Sequence, residues 1–415
     1  MAVVLILSWC QAAAGQTAQA QAPETSRAAR LEAQRRARAM PGLPPPDRSF
    51  LESKLYWYDG QYVLTRLLNG WKGVHYSGGD FPTGAGLKFG VAFTDVAVGS
   101  IHEDEATPNR VDVDAVAAYT SRGYVQATGA VTVRNVGGAP IHLAARGGYW
   151  EFPQEDFFGL GPDSQEADRT SYLLDTLEIG ATATWEPAPW VRGGGGIARL
   201  SPRVGRGTDE RFPDTRGRFD PADLPGSLEQ PDFRRASAWV AVDWEDNPAL
   251  PRAGGLARVE ITDYHDLDLD RHDFRLLEAS IDQYVPLGGP SRVLALHAAT
   301  VVSDTDAGQQ VPFFYQPTLG GRKRLRGFRE FRFRDQNSVS LTAEYRWEAW
   351  WALDVALFAD AGKVTFDRRD LDLSDLEATY GVGFRIHSNS AYSFRVDLGV
   401  SREGFIPFFT GSYVF

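Results

Sequence analysis

Between positions 322 and 334 the chain sets Arg322, Lys323, Arg324, Arg326, Arg329, Arg332 and Arg334 against little more than Glu330, with Asp335 just beyond. Guanidinium forks at this density suit two chemistries, bidentate pairing with carboxylates and contact with the phosphates of a lipid surface. A second cluster, Asp266, Asp268, Asp270 and Asp273 with His265 and His272, offers the oxygen ligands a hard cation takes. Alternating acids at a strand end are ordinarily solvated, so no metal is expected there. The run Gly193 to Gly196 has no strand-to-helix context and reads as close packing or bending of a sheet, not as a phosphate cradle. Gly-x-Ser-x-Gly, the P-loop and His-Glu-x-x-His are all absent, and the seven histidines form no evident catalytic constellation. Neither an enzyme nor a cofactor is expected.

The elements that must position these residues are strands. From about residue 84 onward apolar side chains recur at every second position. In 376–387, Leu376, Ala378, Tyr380, Val382, Phe384 and Ile386 alternate with Glu377, Thr379, Gly381, Gly383, Arg385 and His387. In 391–401, Tyr392, Phe394, Val396, Leu398 and Val400 oppose Ser393, Arg395, Asp397, Gly399 and Ser401, and 337–347 sets Val339, Leu341, Ala343, Tyr345 and Trp347 against Ser338, Ser340, Thr342, Glu344 and Arg346. Three features separate this from a soluble sheet. The segments have the length a tilted strand needs to cross a bilayer. Aromatics gather at strand ends, as at Trp347, Trp350 and Trp351, where a membrane interface places them. The polar face carries acids and arginines in strand after strand, which a dry core would not tolerate. The expectation is an all-β, transmembrane antiparallel barrel, closed because lipid leaves no partner for an open edge. Fifteen segments are legible: 84–94, 111–120, 122–133, 139–150, 171–185, 189–200, 234–245, 254–264, 272–285, 290–302, 336–347, 352–362, 376–388, 391–402 and 406–415. A sixteenth is expected before or near residue 84, because single-chain bacterial barrels have even strand numbers. The insertions 201–233 and 303–335 read as long loops facing out of the cell.

The bulk numbers agree. No run of 18 apolar residues occurs, which excludes a spanning helix. A net charge of -11 argues against a nucleic-acid partner. Residues 1–20 read as an export signal, with the apolar core Ala2 to Leu7 and the small-x-small pattern Ala18-Gln19-Ala20, although no Lys or Arg precedes the core. The single cysteine, Cys10, lies inside that signal behind bulky Trp9, so neither a disulfide nor a lipid anchor is expected. Residues 21–50 are basic and Pro-rich, with Arg27, Arg30, Arg35, Arg36 and Arg38 before Pro41 and Pro44 to Pro46, and predict a short periplasmic helix and stiff linker. The barrel is expected over 51–415.

The last hundred residues resemble the BamA/TamA-type superfamily of outer-membrane assembly and translocation barrels, also called the bacterial surface-antigen family. The segments that carry this are Gly320-Gly321 leading to Leu325-Arg326-Gly327-Phe328, then Phe358-Ala359-Asp360-Ala361-Gly362, and more weakly Asp156 to Gly161, similar to a loop of short members. The resemblance implies eleven strands before the signature loop and five after it, with the loop folded back into the lumen. It implies that Arg326 meets Asp360 and Glu344 with Phe358 packed beside them, a structural latch. Alternation independently turns Glu344, Phe358 and Asp360 inward. Phe409, Tyr413 and terminal Phe415 resemble the C-terminal signal read by the barrel-assembly machinery, with Thr410 where the family has glycine. Full-length relatives carry periplasmic POTRA modules, for which residues 21–50 are too few. The implied function is assistance to insertion or translocation of a protein or lipid at the Gram-negative outer membrane, with a passive channel or structural barrel as the alternative. The implied partners are outer-membrane lipids and lipopolysaccharide, the assembly machinery during biogenesis, and an unidentified client.

Overall fold

The computed structural model describes residues 73–77, 79–96, 108–248, 250–289, 291–350, 352–387 and 392–410. The expected export signal and Pro-rich segment, together with Trp351, Tyr413 and Phe415, lie outside the described residues.

The first eleven strands are β1 (Val74–Tyr76), β2 (Lys88–Val96), β3 (Arg110–Thr120), β4 (Val125–Arg134), β5 (Ile141–Phe157), β6 (Thr170–Ala188), β7 (Val191–Arg206), β8 (Phe233–Asp243), β9 (Gly254–Asp266), β10 (Phe274–Pro286) and β11 (Arg292–Thr305). A long loop follows, holding the two-residue strands β12 (Thr318–Leu319) and β13 (Phe333–Arg334). Then come β14 (Asn337–Trp350), β15 (Leu353–Thr365), β16 (Glu377–His387), β17 (Tyr392–Ser401) and β18 (Gly404–Thr410). All except β12 and β13 form one 16-stranded sheet in which each strand pairs antiparallel with its sequence neighbour. Eleven of its strands precede the signature loop and five follow it. The sixteenth strand is β1, where alternation is too short to read. Among the described residues β1 and β18 are the two edges and are not hydrogen-bonded to each other.

The sheet is inverted relative to a soluble one. On β15, Asp354, Phe358 and Asp360 are buried while Leu357 is half exposed. On β6 outward Ile179 is 65% exposed, whereas inward Glu178 is buried. An apolar outer face is stable only against hydrocarbon, and the charged inner face only where ions and hydrogen bonds satisfy it. The architecture is therefore that of a transmembrane barrel.

The two ends differ. One has short connections, 135–140, 189–190 and 287–291, and the other has the long loops 158–169, 207–232 and 306–336. Short turns face the periplasm and long loops face outward in such barrels. Exposed Trp185, Trp190 and Trp244 stand at the short-turn end, as an interfacial girdle requires. Two strands outrun the sequence expectation toward the cell exterior, β5 continuing to Phe157 and β7 to Arg206, while β6 runs on to Ala188 at the short-turn end. Asp156 and Phe157, read as loop, thus belong to a strand. Alternation marks only the part of a strand that divides lipid from lumen; beyond the bilayer both faces meet water or loops and the pattern fades.

Candidate functional site

The loop between β11 and β14 turns inward. Gly320 and Gly321 adopt φ of +109° and +100°, a region L side chains rarely enter. Gly321 N–H donates to the Phe328 carbonyl at 3.1 Å, closing the tight turn that holds the Arg-Gly-Phe segment. Leu319, Leu325, Phe328 and Phe333 pack with Val364 of β15 in a small apolar core, with Phe328 and Phe333 edge-to-face at 5.0 Å. This core seats the loop on the wall and removes Arg326 from water; Arg326 is 0% exposed.

The guanidinium of Arg326 is held on three sides. Its Nε and Nη2 donate to Asp360 Oδ2 and Oδ1 at 3.0 and 2.8 Å, and its Nη1 donates to Glu344 Oε2 at 2.8 Å. The backbone N–H of Arg326 also donates to Asp360 Oδ2, at 2.9 Å. The ring of Phe358 lies 3.6 Å beneath the guanidinium carbon, a cation–π contact in a desolvated site. Asp360 further accepts from Thr342 Oγ1 at 3.0 Å. Glycines let the parts approach. A β-carbon on Gly327 would stand 2.9 Å from the carbonyl carbon of Val400, and one on Gly381 would stand 2.4 Å from the Phe358 ring. Gly362 lies against the Leu319 side chain.

Beyond Arg326 the network continues through residues the sequence reading left as ordinary lumen positions. Glu344 Oε1 accepts from Arg346 Nε at 2.6 Å, and Glu344 Oε2 accepts from Arg385 Nη2 at 2.7 Å. Asp397 lies 2.9 Å from Arg385 Nη1, 2.7 Å from Arg395 Nε and 3.7 Å from Arg326 Nη1. Neither oxygen of Asp397 receives a well-directed N–H, so it acts as a counter-charge more than as an acceptor. Arg395 Nη2 reaches back to the carbonyl of Arg322 in the loop at 2.8 Å. Four buried guanidiniums thus face three buried carboxylates. Alternation did carry the signal for these positions: Arg346, Arg385, Arg395 and Asp397 all fall on the polar face. What it lacked was the distance between β14 and β17, three strands apart.

Four other loop arginines have partners as well. Arg332, 1% exposed, binds Glu403 in the β17–β18 turn at 2.8 Å and the Ser164 carbonyl in the β5–β6 loop at 2.6 Å. Arg334 donates to the Phe313 carbonyl at 2.6 Å, Arg329 meets Glu166 at 2.9 Å, and Arg322 meets Asp80 at 3.1 Å. The loop residue Gly161 donates to the Arg334 carbonyl at 2.8 Å. The basic stretch is therefore mostly turned toward protein; Lys323 is exposed.

The acidic cluster is a capped turn. Asp266 is buried and accepts from the backbone N–H groups of Asp268, Leu269, Arg271 and His272. Gly193 to Gly196 lie within β7, where Trp239 of β8 presses against Gly194. Phe409 is 65% exposed on the outer face of β18.

This geometry, a sixteen-stranded transmembrane sheet with an arginine loop ion-paired to its inner wall, defines a class of outer-membrane barrel. Residues 215–404, a little under half of the chain, match the Omp85 superfamily domain. Among solved structures it is similar to BamA from Haemophilus ducreyi lacking POTRA domains 1–3, at 15% identity and a TM-score of 0.59 over 82% of this chain and 68% of that one. It is also similar to CdiB from Escherichia coli, at 12% identity and a TM-score of 0.49 over 81% of this chain and 61% of that one. No curated protein matches the chain. At these identities the likeness to BamA speaks for the fold alone.

Proposed function

We propose that this barrel assists insertion or translocation of a protein or lipid at the outer membrane, and that Arg326, Glu344 and Asp360, extended by Asp397, form a latch that keeps the signature loop inside the lumen. The observation that carries the reading is the complete desolvation of Arg326 between carboxylates of two neighbouring wall strands. A passive pore gains nothing from a buried ion network that obstructs its own lumen. No step in this reading is catalytic: the network offers charge pairing and shape. We further propose residues 1–20 as a signal peptide, 21–50 as a periplasmic segment, 51–415 as the barrel, and Phe409, Tyr413 and Phe415 as its assembly signal.

The test is planar-bilayer conductance of the purified protein, wild type against Arg326→Ala. A latched loop gives small or flickering wild-type conductance and a larger, steadier pore in the variant. A large, steady wild-type pore unaffected by Arg326→Ala would favour the alternative, a passive channel or structural barrel. Co-purification from membranes under mild detergent reports whether a client accompanies the wild type.

A further inference from the structure

On the outer wall, away from the latch, arginines mark the extracellular border of the apolar band. Outward positions on β7 run from Ile197 to Arg199 and Arg203, and on β8 from Val240 through Ala238 and Ala236 to Arg234. Arg199 and Arg234 are direct cross-strand partners, an arrangement in which like charges destabilise a sheet. One carboxylate serves two of these arginines: Asp232 lies 2.7 Å from Arg199 and 2.9 Å from Arg203, whose side chains remain 66% and 50% exposed. Asp268 sits behind, bonded to the backbone N–H of Asp232. His265, opposite Arg234 on β9, is paired with Asp273, and Arg275 with Asp263. Among the described residues the Arg234 side chain has neither an ion-pair nor a hydrogen-bond partner. Three exposed arginines thus share one directly paired carboxylate, Asp232, and Arg234 is left to face outward beside Arg199.

Directly below Arg234 the outward face of β8 carries only Ala236 and Ala238, and Ala238 has Gly195 of β7 and, one strand further, Ala183 of β6 as cross-strand neighbours; exposed Ile197 and Ile261 border this strip of small residues. This gives Gly195 a second reading: with Ala236 and Ala238 it leaves a shallow apolar groove running from Arg234 into the membrane.

We propose that Arg199, Arg203 and Arg234 bind the phosphate groups of an outer-leaflet glycolipid, whose acyl chain lies along this groove. Guanidinium forks match phosphate oxygens bidentately, and the patch stands at the height where a bilayer places its headgroups, directly above the hydrocarbon-facing residues. A free anion would satisfy the arginines but leave the groove unexplained, so the commitment is to a lipid.

The full chain, folded in detergent, is titrated with diphosphoryl lipid A, with dephosphorylated lipid A and with inorganic phosphate, and bound lipid is counted by native mass spectrometry. We expect diphosphoryl lipid A to bind, and the Arg199→Gln, Arg203→Gln, Arg234→Gln triple variant to bind roughly tenfold more weakly or worse. Dephosphorylated lipid A should resemble the triple variant. Ala238→Phe, which fills the groove, should weaken binding with the arginines intact. Heat-dependent gel mobility verifies folding; should the triple variant fail to fold, Arg234→Gln alone has no side-chain contact to lose and must still weaken binding. Equal binding by wild type and the arginine variants, or displacement of lipid A by millimolar inorganic phosphate, would overturn the proposal.

Discussion

The carbonyl oxygen of Arg326 occupies the space a side chain on residue 399 would need: a β-carbon built on Gly399 falls 1.8 Å from it. The signature loop thus lies against the inner wall of β17 backbone to backbone, and its position is set by the absence of a side chain on that strand as much as by charge. Ser401 fastens the same stretch, its Oγ donating to the Gly327 carbonyl at 2.7 Å.

Gly399→Ala should therefore dislodge the loop. Overpacking of this kind costs about 1–3 kcal/mol, and here the obstructing atoms are backbone with nowhere to yield. We expect a lowered denaturant midpoint and faster tryptic cleavage at Lys323. Gly217→Ala, with nothing within 4 Å of its added carbon, should leave both unchanged.

At position 326 the fork matters beyond the charge. Arg326→Ala leaves Asp360 and Glu344 buried without their cation, an outcome that typically costs about 3–5 kcal/mol. Arg326→Lys keeps the charge but reaches only one carboxylate at a time and loses the flat stacking on Phe358, so its unfolding free energy should fall between wild type and Arg326→Ala. Equality of Lys and Arg in denaturant titration would show that geometry contributes nothing.

Arg332 ties three extracellular segments through Glu403 and Ser164. Arg332→Ala should loosen the 158–169 loop while the barrel stays folded, seen as faster amide hydrogen exchange at 160–168 and no change in the lumen strands.

Asp335, at the end of the loop, supplies a pH test. Burial pushes its carboxyl above the ordinary value, against a smaller opposing effect from the Gln336 N–H. A raised folded pKa means that the folded state holds the proton more tightly. Stability is therefore greater when Asp335 is protonated, and it falls as pH rises from the unfolded value through the folded one. Asp335→Asn should stabilise the protein at neutral pH, and the gap should close as pH drops below the usual carboxylate range. A gap that widens on acidification would contradict the assignment.

Much of this was legible in the sequence, for a physical reason. The lumen–lipid boundary imposes a period of two on every spanning strand, so strand count, facing direction and the inward placement of Glu344, Phe358 and Asp360 follow from alternation. The boundaries at Phe157 and Arg206 did not, because no such boundary exists above the membrane. Nor did the reach of the ion network to Arg385, Arg395 and Asp397, since alternation reports which way a side chain points and not what stands across the lumen. The resemblance singled out Arg326; its neighbours on β16 and β17 required the curvature of the sheet. Arg199 and Arg234 were hidden for another reason: as single charges at strand ends, they resemble ordinary solvated positions until the register sets them side by side.

Whether Arg326 and Asp360 hold the loop through direct interaction can be read from a double-mutant cycle on unfolding free energy using Arg326→Met and Asp360→Leu. We expect strong non-additivity, with the double variant less destabilised than the sum of the singles by about 2 kcal/mol or more. Additivity within about 0.5 kcal/mol would contradict it.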